Sequence, residues 1–288
     1  MEKDLSIIIP AYNEEAVIGT MLPKTIAQLS DIVAEFIIVN DGSTDKTADI
    51  INQLEGITAI HHSHNRGYGA SLKTGVHHAT TRYILTMDSD GQHRPEDVRR
   101  LYEHLKQSNA DMIVGQRQGL IHSQWWRMPG KWFLKAMADF ITKVDIPDLN
   151  SGLRLMDKPT LLKYMHLCPS GFSFSTTITM AMLTQGYRVD YVPIEIQKRT
   201  GKSTVSLNTG FQTILLIIRI AALFAPLRIF LPVSFAMWIV GIAWGIPYFL
   251  AGNGVSVGSM LAIVTGVLIF SLGIICDQIS QLRLERYQ

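Results

Sequence analysis

The chain has 288 residues, 26 Lys+Arg against 24 Asp+Glu, a formal net charge of +2, 47% hydrophobic residues and two cysteines, Cys168 and Cys276. So small a charge excess gives no sign of a nucleic-acid partner, and one cysteine in the globular part with one in an apolar run implies no disulfide framework. The length admits one large domain, or one domain with an appendage.

The chain opens MEKDLSIIIPAYNEE, whose apolar run is too short and too soon interrupted for a signal peptide, so the first domain is expected to stay inside. Apolar runs recur as LSIIIP, EFIIVN, ITAI, YILTM and DMIVG with helix-like segments between them. That alternation predicts an α/β domain with a parallel sheet and crossover helices. Ligands of such sheets bind beyond the carboxyl ends of the strands, and those ends carry PAYNEE, NDGSTD, NRGYGAS and DSDGQ. Further on, SGLRLMD and YVPIEIQKR read as two more strands around the helix-like TTITMAMLTQG, on the acceptor side of the same domain.

In YILTMDSDGQHRPEDV, extending the strand through Asp90 puts Asp88 and Asp90 on one face and Ser89 on the other. Two carboxylates side by side repel, and a hard divalent cation between them removes the repulsion. The other reading is a solvated acidic turn into a helix, with Pro95 at its start and Glu96 and Asp97 in its first turn. The residues alone leave both open.

Three patterns are set aside. GKST (201–204) lacks the earlier glycine of a P-loop, which falls at Ile196. GYGASL has Leu72 where a dinucleotide fingerprint needs its third glycine. His61, His62 and His64 have no cysteine or HExxH partner and read as exposed or locally hydrogen-bonded rather than as zinc ligands.

From Ile229 to Cys276 there is no Asp, Glu, Lys, Arg or His. At about 1.5 Å per residue this run is more than twice the roughly 30 Å of a hydrocarbon core, so it reads as two spans, about 229–250 and 256–276. Ala251-Gly252-Asn253-Gly254 is the turn. Arg219, Arg228, Arg283 and Arg286 flank the shared side of the hairpin and the turn has no basic residue, which predicts both ends cytoplasmic. The expected division is a catalytic domain over 1–206, an interfacial amphipathic helix over 207–227, the spans within 228–278 and a cytoplasmic tail over 279–288. Residues 207–227 are read as interfacial because Arg219 would be costly at mid-membrane. Ser123–Phe133, SQWWRMPGKWF, reads either as a surface dipping into lipid headgroups or as an amphipathic core helix.

Taken in order, PAYNEE, NDGSTD, DSDGQ, NSGLRL and a basic KRTGKS loop before two spans resemble a family 2 glycosyltransferase of the polyprenyl-phosphate branch. The resemblance implies a GT-A (Rossmann-like) fold, a nucleotide-sugar donor, Mg²⁺ or Mn²⁺, and a polyprenyl phosphate acceptor in the bilayer. It implies donor contacts at Pro10, Tyr12, Glu14, Asp41, Asp88, Ser89, Arg117, Lys198, Arg199, Lys202 and Ser203. Asn40 departs from the commoner Asp-Asp pair, and strict alignment puts Lys198 at the arginine and Thr204 at the lysine of the family's closure loop. The metal would sit on Asp88, Asp90 and Gln92, and the acceptor on Arg127, Ser151 and Arg154. Asp90 and Asp148 are the catalytic candidates. A lipid phosphate has a second pKa near 6, hardly needs a general base, and leaves Asp148 free to orient the acceptor or a cation instead.

The reaction implied is inverting transfer of one hexose from a UDP- or GDP-sugar, at the cell membrane, for envelope glycan or glycoprotein assembly. A homo-oligomer and a downstream flippase or lumenal glycosyltransferase are further expected partners. Two alternatives are weaker. A processive synthase lacks a QxxRW-like segment here and needs more spans, and a binding scaffold has no use for an intact DxD.

Overall fold

The first apolar run, Leu5–Ala11, is buried at every position and forms β1. That suits an interior strand covered on both faces. The other strands are β2 Val33–Asn40, β3 Thr58–His61, β4 Tyr83–Thr86, β5 Met112–Gln118, β6 Arg154–Asp157 and β7 Val189–Glu195. The helices are α1 Ile18–Leu29, α2 Thr47–Asn52, α3 Tyr68–His78, α4 Pro95–Gln107, α5 Lys158–Tyr164, α6 Phe174–Thr184, α7 Pro226–Leu250 and α8 Val257–Glu285. This computed structural model describes residues 3–118, 136, 138–171, 173–196, 219 and 222–285. Arg127, Lys198, Arg199, Lys202 and Ser203 lie outside the described residues, as do Ser123–Phe133 and most of 207–227.

The sheet order is β3-β2-β1-β4-β6-β5-β7. It is not the all-parallel sheet expected: β6 runs antiparallel to both β4 and β5, pairing Arg154 with Thr86 and Val114. The cause is topological. α4 carries the chain back to the amino end before β5, whereas β6 starts on the carboxyl rim, at the level of the end of β4, and can only run down.

Local chemistry sets the helix ends. Pro95 starts α4, Glu96 and Asp97 occupy its first turn, and His104 and Lys106 its last, matching the helix dipole. Val98, Leu101, Tyr102 and Leu105 form its buried stripe. Asp157 ends β6 and caps α5, accepting the Thr160 N–H at 3.2 Å and its hydroxyl at 2.9 Å. The loops after β1 and β2 are laced together: Asn13 N–H donates to Ser43 Oγ at 3.0 Å, and Thr44 N–H to Asn13 Oδ1 at 2.8 Å.

The chain divides into two compact units, Met1–Thr209 and Gly210–Gln288. In the second, α7 and α8 approach closely along glycine contacts. Ser259 Oγ donates to Gly241 O at 2.5 Å, and a Cβ on Gly273 would come within 2.7 Å of Phe230 Cβ. Only 11% and 17% of their most apolar windows are buried, so the outer faces are bare hydrocarbon, unlike the core helices of a soluble protein. α8 runs on to Glu285, past the span end read at residue 276 and through most of the expected tail.

Candidate active site

β4 stops at Thr86, and the acids sit in the turn that follows rather than on the strand. Asp90 Oδ1 accepts the Gln92 N–H at 3.1 Å and Gly91 has φ 73°, so the backbone curls where alternation assumed extension. Asp90 is 9% exposed, Ser89 is buried and Asp88 is half-buried. Asp88 Oδ1 accepts the Tyr68 hydroxyl at 2.9 Å, and His93 Nε2 lies 3.7 Å from Oδ2. Burial pushes the Asp88 pKa up, but His93, the Tyr68 hydroxyl and Arg117 outweigh it and hold the carboxyl below its ordinary value. Burial and Asp88 together push the Tyr68 phenol well up, so it stays a donor.

Gly152 explains one letter of NSGLRL. A Cβ there would fall within 2.7 Å of Asp88 Cγ, while the Gly152 carbonyl accepts the Thr86 hydroxyl at 2.8 Å. Gly152→Ala should therefore push the Asp88 carboxylate aside. Transfer should fall by about a hundredfold, the order expected for a displacement near 1 Å, with the circular-dichroism spectrum kept. Wild-type turnover would show that the carboxylate position is not critical.

Arg117 and Asp148, expected at donor and catalytic positions, face each other. Arg117 Nε and Nη2 donate to Asp148 Oδ2 and Oδ1 at 2.7 and 2.9 Å, and the Asn150 N–H adds a bond at 3.1 Å. Burial pushes the Asp148 pKa up, but Arg117 and these N–H groups prevail and lower it. A carboxyl lowered below 3.8 stabilises the fold above that pH, and loses the contribution only as pH falls through its folded value. Between pH 6 and 8 Asp148 is ionised, paired and a poor proton acceptor. Asp148→Asn should cut kcat no more than about tenfold and leave the shape of the pH–rate profile unchanged over that range. A wild-type rate that falls towards acid pH, with that acid limb abolished in the variant, would make Asp148 a base.

Arg154 and Ser151 are 1% and 0% exposed. Arg154 Nε donates to Ser151 O at 2.7 Å and Nη2 to Leu149 O at 2.8 Å, while Nη1 reaches the Thr179 hydroxyl. The guanidinium expected at the acceptor is thus enclosed in the domain, tying the 149–151 turn to α6. The Ser151 hydroxyl is buried without a hydrogen-bond partner among the described residues.

Asp41, expected at the nucleoside, is 3% exposed. Its carboxylate bonds His62 Nδ1 at 2.7 Å and accepts the N–H groups of Arg66 and Gly67 at 2.9 and 2.8 Å. His62 Nε2 continues to Thr74 Oγ1 at 3.0 Å, and His61 and His64 are also locally bonded. The glycines of GYGAS serve close packing: a Cβ on Gly67 would meet Ser170 O at 2.5 Å, and Ala70 N–H donates to that oxygen at 3.1 Å. Pro10 is buried at the end of β1, Tyr12 is 45% exposed, and the Glu14 N–H donates to Thr47 Oγ1 at 2.9 Å.

Sequence reasoning missed Tyr68 and His93. Tyr68 lay inside NRGYGAS and His93 directly after DSDGQ, and their signal was position: a ring and an imidazole near loop glycines at a carboxyl rim.

The rim fits a hard divalent cation by its donor chemistry, two carboxylates and the Gln92 amide. Among the described residues, no group of three or more His, Cys, Asp or Glu converges on one point. Such a sparse set is what Mg²⁺ accepts when substrate phosphates and water supply its remaining ligands.

A mixed α/β sheet with paired acids on its carboxyl rim, followed by two apolar helices, defines a GT-A-like catalytic unit with a hairpin anchor. The chain belongs to glycosyl transferase family 2, whose profile matches residues 6–173, and a second profile, the GtrB C-terminal hairpin, matches 225–282. A Saccharomyces cerevisiae dolichyl-phosphate beta-glucosyltransferase is 26% identical over 66% of this chain and 66% of its own. A Rhizobium johnstonii dodecaprenyl-phosphate galacturonate synthase is 27% identical over 57% of this chain. The chain spans about half the length of that relative, 50%. Glucosyl-3-phosphoglycerate synthase from Mycobacterium tuberculosis, solved with Mn²⁺, UDP-glucose and phosphoglyceric acid, superposes with a TM-score of 0.63. It is 18% identical, and the match covers 76% of this chain and 80% of that one, a likeness of fold.

Proposed function

We propose that the chain transfers a single sugar, with inversion, from a nucleoside diphosphate sugar to a polyprenyl phosphate in the membrane. The observation that carries this reading is a family 2 catalytic unit joined to a two-helix apolar hairpin, in a chain similar to enzymes named for polyprenyl-phosphate acceptors. The hairpin keeps the enzyme in the plane where a lipid acceptor diffuses. The arginines at its open end, Arg219, Arg228, Arg283 and Arg286, support a cytoplasmic catalytic unit.

In this reading Asp88 and Asp90, with Gln92, hold Mg²⁺ or Mn²⁺, which when bound neutralises charge on the leaving diphosphate. Asp88 is pre-ionised for that role by its surroundings. Pro10, Tyr12 and Glu14 line the nucleoside side, with Asp41 shaping the loop beside it. Asp148 orients Arg117 beneath the diphosphate. Lys198, Arg199, Lys202 and Ser203 close over the donor, and Arg127 meets the acceptor phosphate. The acceptor is already largely dianionic at neutral pH and attacks the anomeric carbon without a protein base. A flippase or lumenal glycosyltransferase then consumes the lipid-linked sugar.

The deciding experiment is a panel of UDP- and GDP-sugars incubated with undecaprenyl phosphate and the purified chain. One donor should give a lipid-linked monosaccharide of inverted anomeric configuration. Donor hydrolysis without lipid product, or repeated addition, would overturn the reading.

A further inference from the structure

The Asp41 clasp and the Asp88 carboxylate are separate in sequence yet linked through one residue. Asp41 accepts the N–H groups of Arg66 and Gly67, and the next residue, Tyr68, donates its hydroxyl to Asp88 at 2.9 Å. Tyr68 has little freedom to drift. It begins α3, whose first turn is held against the 169–171 loop by Ala70 N–H to Ser170 O at 3.1 Å, with Gly67 packed on the same oxygen. Gly152 also packs against Asp88, where a Cβ would collide with Oδ2. The carboxylate is thus held by a Tyr68 donor and crowded by the Gly152 backbone, and the donor's helix start follows directly on the loop that Asp41 clasps.

We propose that Tyr68 is a positioning residue that holds Asp88 in the orientation for cation binding, and that Asp41 acts on the same carboxylate through it. The proposal rests on the metal assignment above, to Asp88 and Asp90. It goes further by giving Asp41 a mechanical role distinct from any contact with the nucleoside. A group that hydrogen-bonds a metal-holding carboxylate typically changes metal affinity by 10–100-fold.

The test titrates Mn²⁺ alone, with no nucleotide, into the chain in nanodiscs, reading free Mn²⁺ by electron paramagnetic resonance. Tyr68→Phe keeps the ring and removes only the donor. Its Mn²⁺ dissociation constant should rise about tenfold, and its kcat should return to within a few-fold of wild type when Mg²⁺ is raised to saturation. Asp41→Asn should weaken Mn²⁺ to a similar extent, and the double variant should bind no worse than the weaker single, as expected for two residues acting through one path. Unchanged Mn²⁺ affinity in Tyr68→Phe overturns the proposal while leaving the metal assignment intact. Multiplying effects, or an Asp41→Asn variant of wild-type Mn²⁺ affinity, overturn the role of Asp41. A wild-type chain that binds no Mn²⁺ overturns the metal assignment and this proposal together. If Asp41→Asn shows no thermal transition, Tyr68→Phe decides alone.

Discussion

Asp90→Asn should lower kcat/KM for sugar transfer by about a thousandfold, close to 4 kcal/mol of transition-state stabilisation, with a thermal midpoint near that of wild type. The substitution is chosen for what it keeps. Asp90 Oδ1 accepts the Gln92 N–H, and an asparagine oxygen can do the same, so the turn survives while the charge is lost. Asp90→Ala removes both, and should add a stability loss of about 1 kcal/mol to the same loss of activity. EDTA should reproduce the effect in the wild type, and added Mg²⁺ or Mn²⁺ should reverse it. Retention of more than a tenth of the activity by Asp90→Asn, or full turnover in EDTA, would remove the cation from the reaction.

The largest effect on stability is expected at Arg154. Arg154→Met fills much of the volume but leaves the Ser151 and Leu149 carbonyls and the Thr179 hydroxyl without their donor. Unmade bonds to buried groups cost about 1–3 kcal/mol each, so a loss of roughly 3–5 kcal/mol is expected. Arg154→Lys should rescue little, because one ammonium cannot reproduce the spread of the guanidinium fork. Chemical denaturation of the variants measures this directly. If Arg154→Met unfolds like wild type and instead loses only acceptor affinity, the arginine is a ligand contact and not an internal tie.

The strands, their polar carboxyl-end loops and the two membrane helices were all legible in the chain. Apolar runs of strand length, loops rich in Asp, Asn and Gly, and a charge-free stretch are local signals that need no knowledge of neighbours. The direction of β6 was not legible, because it follows from which rim the chain occupies when it re-enters the sheet. Pairings between distant residues were hidden for the same reason. Asp148 with Arg117 and Asp88 with Tyr68 stand 31 and 20 residues apart. The residues themselves drew attention to Asp88, and the family resemblance to Asp41, Arg117, Asp148 and Arg154. Only the tertiary structure decided that Asp41 clasps a loop, that Arg154 is enclosed in the domain, and that Asp88 is held ionised by His93, the Tyr68 hydroxyl and Arg117. Burial and hydrogen-bond partners set what a charged side chain can do, and both are properties of the packed chain.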